Sequence, residues 1–240
     1  MQIPPAPEVF PRLFEYEVID STNLELKRKN LEALEEFSAV IAMSQTAGRG
    51  RLGRTWQSPS GSSLSLSVLL KPTSAAEFSW VTLIAALAIS QTAGQLGVEA
   101  KVKWPNDVLV QGKKLSGVLA SLENQNVILG IGVNIRPWEG QLHTSTNLEV
   151  EGVNVSAKEF ATLIGATLRS LIASFRSNPS SLQSEFRANC VTIGQQVRAE
   201  LPSGKELYGL AQTVNDSGQL VILSPEPIAL SAADVWHLRN

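Results

Sequence analysis

Three glycines and three arginines alternate through Gly48-Arg49-Gly50-Arg51-Leu52-Gly53-Arg54, and Thr55-Trp56 closes the run. The residues just after this loop constrain the fold more than the loop itself. The spacing Gly48-x-Gly50-x-x-Gly53 matches a dinucleotide-binding turn, and Gly48-x4-Gly53-Arg54-Thr55 matches a phosphate loop with Arg54 in place of lysine. Both motifs need a helix directly after the glycines, so that its N-terminus faces the phosphate. Here Gln57-Ser58-Pro59-Ser60-Gly61-Ser62-Ser63 is a poor helix start, and Leu64-Ser65-Leu66-Ser67-Val68 alternates as a strand does. The unit is therefore strand, long loop, strand, which excludes both nucleotide folds. Arginine grips carboxylates and phosphates through a planar fork, and glycine lets the backbone approach a ligand closely. A loop made of both suits an anionic small molecule.

The 240 residues suffice for one sizeable domain with a small appendage. A net charge of −2 gives no global field for nucleic acid or an anionic membrane. A single cysteine, Cys190, rules out an internal disulfide and fits a reducing compartment, the cytoplasm. Met1-Gln2-Ile3-Pro4-Pro5-Ala6-Pro7 lacks the pattern of a signal peptide. The apolar run Trp80 to Ile89 is too short to span a bilayer and predicts a buried helix.

Residues 1–13 predict an extended arm and Phe14 to Ile19 a strand. Thr22-x-x-Glu25 fits a capping box opening a helix to about Glu36, with Leu24, Leu31 and Leu34 inward. Strands from Ala39 to Ser44 and Leu64 to Leu70 flank the loop, and a helix from Phe78 to Leu96 ends at Gly97. Lys101 to Trp104, Val108 to Val110, Lys114 to Leu122 and Val127 to Ile135 form an antiparallel meander by their short turns. After an irregular stretch, Ser156-x-x-Glu159 caps a helix to about Phe175, and Asn178-Pro179 separates it from a shorter one. From Thr192 onward, short strands between Pro, Gly and Asn turns predict a small β-barrel. Residues 1–191 are thus expected to be one domain and 192–240 a second.

Four segments besides the loop carry chemistry. Pro105 breaks the sheet within Lys103-Trp104-Pro105-Asn106-Asp107 and aims Asn106 and Asp107 outward. Gly117 lies mid-strand in Lys113-Lys114-Leu115-Ser116-Gly117, where it suggests close approach by a ligand or backbone. Gly130-Ile131-Gly132-Val133-Asn134 and Asp20-Ser21-Thr22-Asn23 complete the set. Singly, each also fits a turn, a solvated hairpin or a packing allowance.

Together with Gln45-Thr46-Ala47 ahead of the arginine loop, these segments resemble the biotin protein ligase family in order and spacing, from about residue 14 to 190 and more loosely beyond. The resemblance implies an α+β fold. A mixed, mainly antiparallel sheet packs with helices in a class II synthetase-like catalytic domain, followed by the small barrel. It implies ATP and biotin as substrates with Mg²⁺, formation of biotinyl-AMP, and transfer to the biotin carboxyl carrier domain of acetyl-CoA carboxylase. Ser21, Thr22, Asn23 and Gln45 look like the set that recognises the neutral ureido ring. Arg49, Gly50, Arg51, Lys114 and Gly117 would complete the biotin site. Arg49, Arg51, Arg54, Trp56, Lys103, Asn106, Lys114, Val133 and Asn134 resemble the ATP side. Lys114, Arg51 and Asp107 are the expected catalytic residues, and no residues are assigned to a metal. Bringing a carboxylate to a phosphate demands cations at the meeting point.

The loop is expected to close over ligand with Trp56 on the adenine side. Some members of this family carry an N-terminal DNA-binding domain; the short Pro-rich segment before Ser21 predicts a ligase without a nucleic-acid or membrane role. The sequence does not choose between monomer and homodimer. A lipoate ligase or octanoyl transferase of the same superfamily is the alternative, though it lacks this arginine-rich loop.

Overall fold

In the computed structural model, residues 5–238 are described. In chain order the elements are α1 (Ala6–Val9), β1 (Leu13–Ile19), α2 (Thr22–Lys27), β2 (Ala39–Gln45), β3 (Ser63–Leu70), α3 (Ala75–Gln95), β4 (Ala100–Lys103), β5 (Asp107–Val110), β6 (Lys113–Glu123) and β7 (Asn126–Asn134). They continue with α4 (Ala157–Ser177), α5 (Pro179–Asn189), β8 (Gln196–Glu200), β9 (Glu206–Val214), β10 (Leu220–Ser224), β11 (Glu226–Leu230) and β12 (Asp234–His237). The first seven strands form one sheet in the order β1-β2-β3-β7-β6-β5-β4, and the last five a second in the order β11-β10-β9-β8-β12. Only β1 and β2 pair in parallel in the first sheet. The fold is therefore the expected α+β arrangement with a mainly antiparallel sheet and a separate antiparallel C-terminal sheet.

Local chemistry explains most of the elements. Gln111 and Gly112 both have positive φ, 48° and 79°, the geometry that a two-residue hairpin turn requires between β5 and β6. Both halves of the Ser156/Glu159 capping box form at the start of α4. β3 alternates along its length: Leu64, Leu66, Val68 and Leu70 face the main core under α3 and α4, while Ser65 and Ser67 face the opposite side. A smaller core of Leu26, Leu34, Val40, Leu69 and Ile128 lies on that second side, beneath α2. α3 is long and apolar enough to cross a membrane, but it is packed between the sheet and α4, which explains apolar residues on nearly all its sides.

Two local expectations fail. Met1 to Pro4 lie outside the described residues, but the rest of the predicted arm is not simply extended. Ala6–Val9 makes a helical turn, and Val9 and Phe10 are buried. They fit against Gly165 of α4, where a Cβ would stand 2.5 Å from both side chains. The predicted helix from Thr22 to Glu36 stops at Lys27, and its cap residue is Ser21. Thr22 Oγ1 donates to Gln45 Oε1 (3.2 Å), while Glu25 accepts from Tyr16 Oη (2.8 Å) and pairs with Lys29 (2.7 Å). Tertiary partners have taken both halves of the capping box, and Leu26 rather than Leu24 is fully buried.

An ion pair ties the ends of α3 and α4. Glu77, 0% exposed, accepts from Arg176 NH2 at 2.7 Å, and Arg176 also reaches Glu36 at 2.7 Å. Arg176→Ala leaves a buried carboxylate unpaired and is expected to cost about 3–5 kcal/mol in urea unfolding. Burial pushes the Glu77 carboxyl up, but the bonds from Arg176 and Thr73 outweigh it and hold the group below its ordinary 4.5. The pair's stabilisation is therefore complete above that value and is lost as pH falls through the folded value. The variant should lack that acid-side loss.

Candidate active site

A cavity of about 680 Å³ lies on the side of the sheet opposite α3. The β1–α2 turn, the arginine loop, the Trp104–Asp107 break, β6, β7 and the start of β12 line it. Every residue expected at the site lines this cavity except Val133. Strand alternation explains that exception: Gly130, Gly132 and Asn134 face the cavity, while the Val133 side chain is wholly buried in the main core. Its side chain is therefore turned away from the cavity.

One end of the cavity is neutral and polar. Gln45 Oε1 accepts from Thr22 N (2.8 Å) and Thr22 Oγ1, so its amide nitrogen is the end turned to a ligand. Ser67 Oγ lies 2.7 Å from Thr22 Oγ1 and 2.5 Å from Asn23 Oδ1. A Cβ on Gly130 would stand 2.3 Å from Asn23 Oδ1, so the bare glycine lets that amide lie against β7.

The other end is cationic. Arg49, Arg51, Arg54, Lys103 and Lys114 line it against Asp107 and Asp234. Lys114 Nζ is 2.7 Å from Asp107 Oδ1 and 5.9 Å from the centre of the Trp56 ring. Gly117 makes that placement possible, since a Cβ there would stand 3.1 Å from Lys114 Nζ and 3.5 Å from Asp107 Oδ1. Mid-strand, the close approach is made by the chain's own lysine. Arg51 donates to Asn106 Oδ1 (3.0 Å) and to Ala233 O (3.2 Å). Burial pushes the Arg51 guanidinium down, with Asp234 and Asp107 opposing, and pushes the Lys103 ammonium down in the same way. Such desolvated cations sit in their places before any anion arrives.

The arginine loop is folded over this end. Trp56 lies flat against β7, where a Cβ on Gly132 would stand 2.4 Å from the ring. Arg54 pairs with Asp234 of the C-terminal sheet. Asn134 donates through Nδ2 to Thr146 O (2.9 Å) and Lys114 O (3.3 Å), leaving its oxygen for a ligand.

Several lining residues lay beyond sequence reasoning: Ser65, Trp138, Gln141 and Asp234. The alternating serines of β3 were the one available signal. Ser65 Oγ, Trp56 Nε1 and Gln141 Nε2 are buried with no partner among the described residues. Three orphaned polar atoms around one cavity suit a polar ligand that would satisfy them.

Comparisons with known proteins agree with this geometry. Residues 15–136 match the biotin/lipoate A/B protein ligase family, and residues 192–238 match the biotin protein ligase C-terminal domain. The biotin--[acetyl-CoA-carboxylase] ligase of Mycobacterium tuberculosis is 34% identical over 91% of this chain and 86% of its own length. The chain belongs to the biotin protein ligase family. The corresponding ligase of Paracoccus denitrificans is 30% identical, over 86% of this chain and 92% of its own. Among solved structures, biotin protein ligase from Aquifex aeolicus in complex with biotin and ATP superposes with a TM-score of 0.82 at 26% identity, covering 96% of this chain and all of that one. Biotin protein ligase membership suits the two-ended cavity, one end neutral and polar, the other built for anions.

Proposed function

We propose that this protein activates biotin with ATP to biotinyl-5′-AMP and transfers the biotinyl group to a lysine of the biotin carboxyl carrier domain of acetyl-CoA carboxylase. The observation that carries the reading is the juxtaposition of five cations with a neutral polar pocket in one cavity. A bicyclic urea has no charge to grip and needs the hydrogen bonds that Thr22, Asn23, Gln45 and Ser65 offer. A purely aliphatic chain would leave those groups unpaired, which disfavours lipoate or octanoate.

In the first step a biotin carboxylate oxygen attacks the α-phosphorus, the bond to the bridging oxygen breaks, and pyrophosphate leaves. Lys114 stands where carboxylate and α-phosphate meet, Arg49 and Arg51 flank it, and Arg54 and Lys103 face the triphosphate. Trp56 and Asn134 bracket the adenine. Mg²⁺ would come with the triphosphate, which it typically binds with few protein ligands. In the second step the carrier lysine's amine attacks the acyl carbon, AMP leaves, and the amine proton must be removed. Asp107 is placed to take it or to orient the amine. Asp107→Asn is expected to slow transfer about a hundredfold while slowing adenylation far less. Equal losses in single-turnover assays of the two steps would remove that role.

The division into a catalytic domain, 1–191, and a C-terminal domain, 192–240, is supported by where the second family match begins. The single cysteine, which leaves no internal disulfide to form, supports a cytoplasmic site of action. Biotin-dependent pyrophosphate release tests the activity; release with lipoate or octanoate in place of biotin would move the reading to the sister enzymes.

A further inference from the structure

β12 touches the catalytic machinery at both ends. At its start, Ala233 and Asp234 hold Arg51 and Arg54 of the loop. At its other end, His237 Nε2 lies 3.2 Å from Thr192 Oγ1, and that same oxygen accepts the backbone N–H of Trp104 at 3.0 Å. Thr192 is wholly buried, and Trp104 is further pinned by its indole N–H, which donates to Gly218 O at 3.1 Å. Immediately after Trp104 come Asn106, which receives Arg51, and Asp107, which meets Lys114.

We propose that His237 is a positioning residue for adenylation, acting through Thr192 to fix the Trp104 main chain and with it Asn106 and Asp107. The proposal rests on the ligase reading. A threonine hydroxyl has one proton to give. With its oxygen accepting from Trp104, that proton goes to His237 Nε2 when the ring is neutral and carries its own proton on Nδ1. Protonating the ring reverses this bond and sets a second positive charge against Lys103.

The surroundings favour the neutral ring. Burial holds the imidazole below its ordinary 6.5, and Lys103 of β4 adds to this. Opposite His237 on β8 lies the apolar Val197. Its neighbour Arg198 is engaged with the Trp236 ring (4.1 Å) and Glu206 (2.8 Å). Burial pushes the Cys190 thiol up, against hydrogen bonds from Thr192, Ile193 and Trp104, and it stays neutral. The ureido-binding end shares no contact with this chain of bonds, so biotin affinity should not follow it.

The test is the rate of biotin-dependent pyrophosphate release from about pH 5 to 8, with biotin affinity measured alongside. Four proteins are compared: wild type, His237→Gln, His237→Leu, and His143→Gln at the other, exposed histidine. Wild type should lose kcat on the acid side, below the ordinary imidazole range. His237→Gln, an uncharged side chain that can give or take the bond, should keep the neutral rate within about threefold and lose the acid limb. His237→Leu should hold kcat about tenfold below the neutral wild-type rate, the effect of one buried hydrogen bond, with no acid limb and biotin affinity unchanged. His143→Gln should match wild type. An acid limb that survives in His237→Gln, or a His237→Leu rate equal to wild type, overturns the proposal alone. A wild type that releases no pyrophosphate overturns the ligase reading and the proposal with it.

Discussion

Lys114→Ala is expected to lower biotin-dependent pyrophosphate release about a thousandfold, the upper range for removing one preorganised charge partner of a transition state. Lys114 is the cation that stands where the two anions must meet, and its ammonium is already fixed by Asp107 at 2.7 Å. Biotin affinity should change much less, because Thr22, Asn23 and Gln45 bind one another and Ser67 at the far end of the cavity. Lys114→Arg should not rescue, because a planar guanidinium does not reproduce the compact point charge of an ammonium. A rate loss below about tenfold would remove Lys114 from the chemical step.

Gly132→Ala is expected to uncouple the two steps. The new methyl would stand 2.4 Å from the Trp56 ring, so the tryptophan must leave β7 and the arginine loop must lift with it. The intermediate is a mixed anhydride, and a closed loop keeps water from it. Adenylation should continue at a reduced rate while acyl-adenylate escapes and hydrolyses. Pyrophosphate released per carrier modified should rise more than about tenfold over wild type. A ratio that stays near one, with Trp56 fluorescence still responding to ligand, would show that the loop does not need its seat on β7. A loss of local stability at Gly132, which lies near the end of β7, would be seen in thermal unfolding and distinguished from uncoupling.

Much of this architecture was legible because it is written in local chemistry. The strand after the arginine loop excluded a phosphate-binding helix, Gln111-Gly112 announced a tight hairpin, and Ser156 with Glu159 announced the start of α4. Gly117 mid-strand signalled a close approach, although not that the visitor was Lys114. The features that could not be read depend on distant partners. Thr22 and Glu25 have the spacing of a capping box, but Gln45 and Tyr16 compete for their side chains and win. Val9 and Phe10 dock on Gly165, a pairing that nothing near either segment reveals. Asp234 has no motif around it; only the fold brings β12 to Arg54. The Val133 side chain faces the core because it alternates with Gly132 and Asn134 along β7.

If one cavity joins biotin to a carrier lysine at the expense of ATP, the product itself is the most direct witness. The decisive measurement is the intact mass of a purified biotin carboxyl carrier domain after incubation with this protein, biotin, ATP and Mg²⁺. A lipoyl domain with lipoate or octanoate would be treated in parallel. The predicted result is a single biotinyl addition on the carrier lysine that requires ATP and disappears in Lys114→Ala. Modification of the lipoyl domain instead, or no ATP-dependent addition to the carrier, would contradict it.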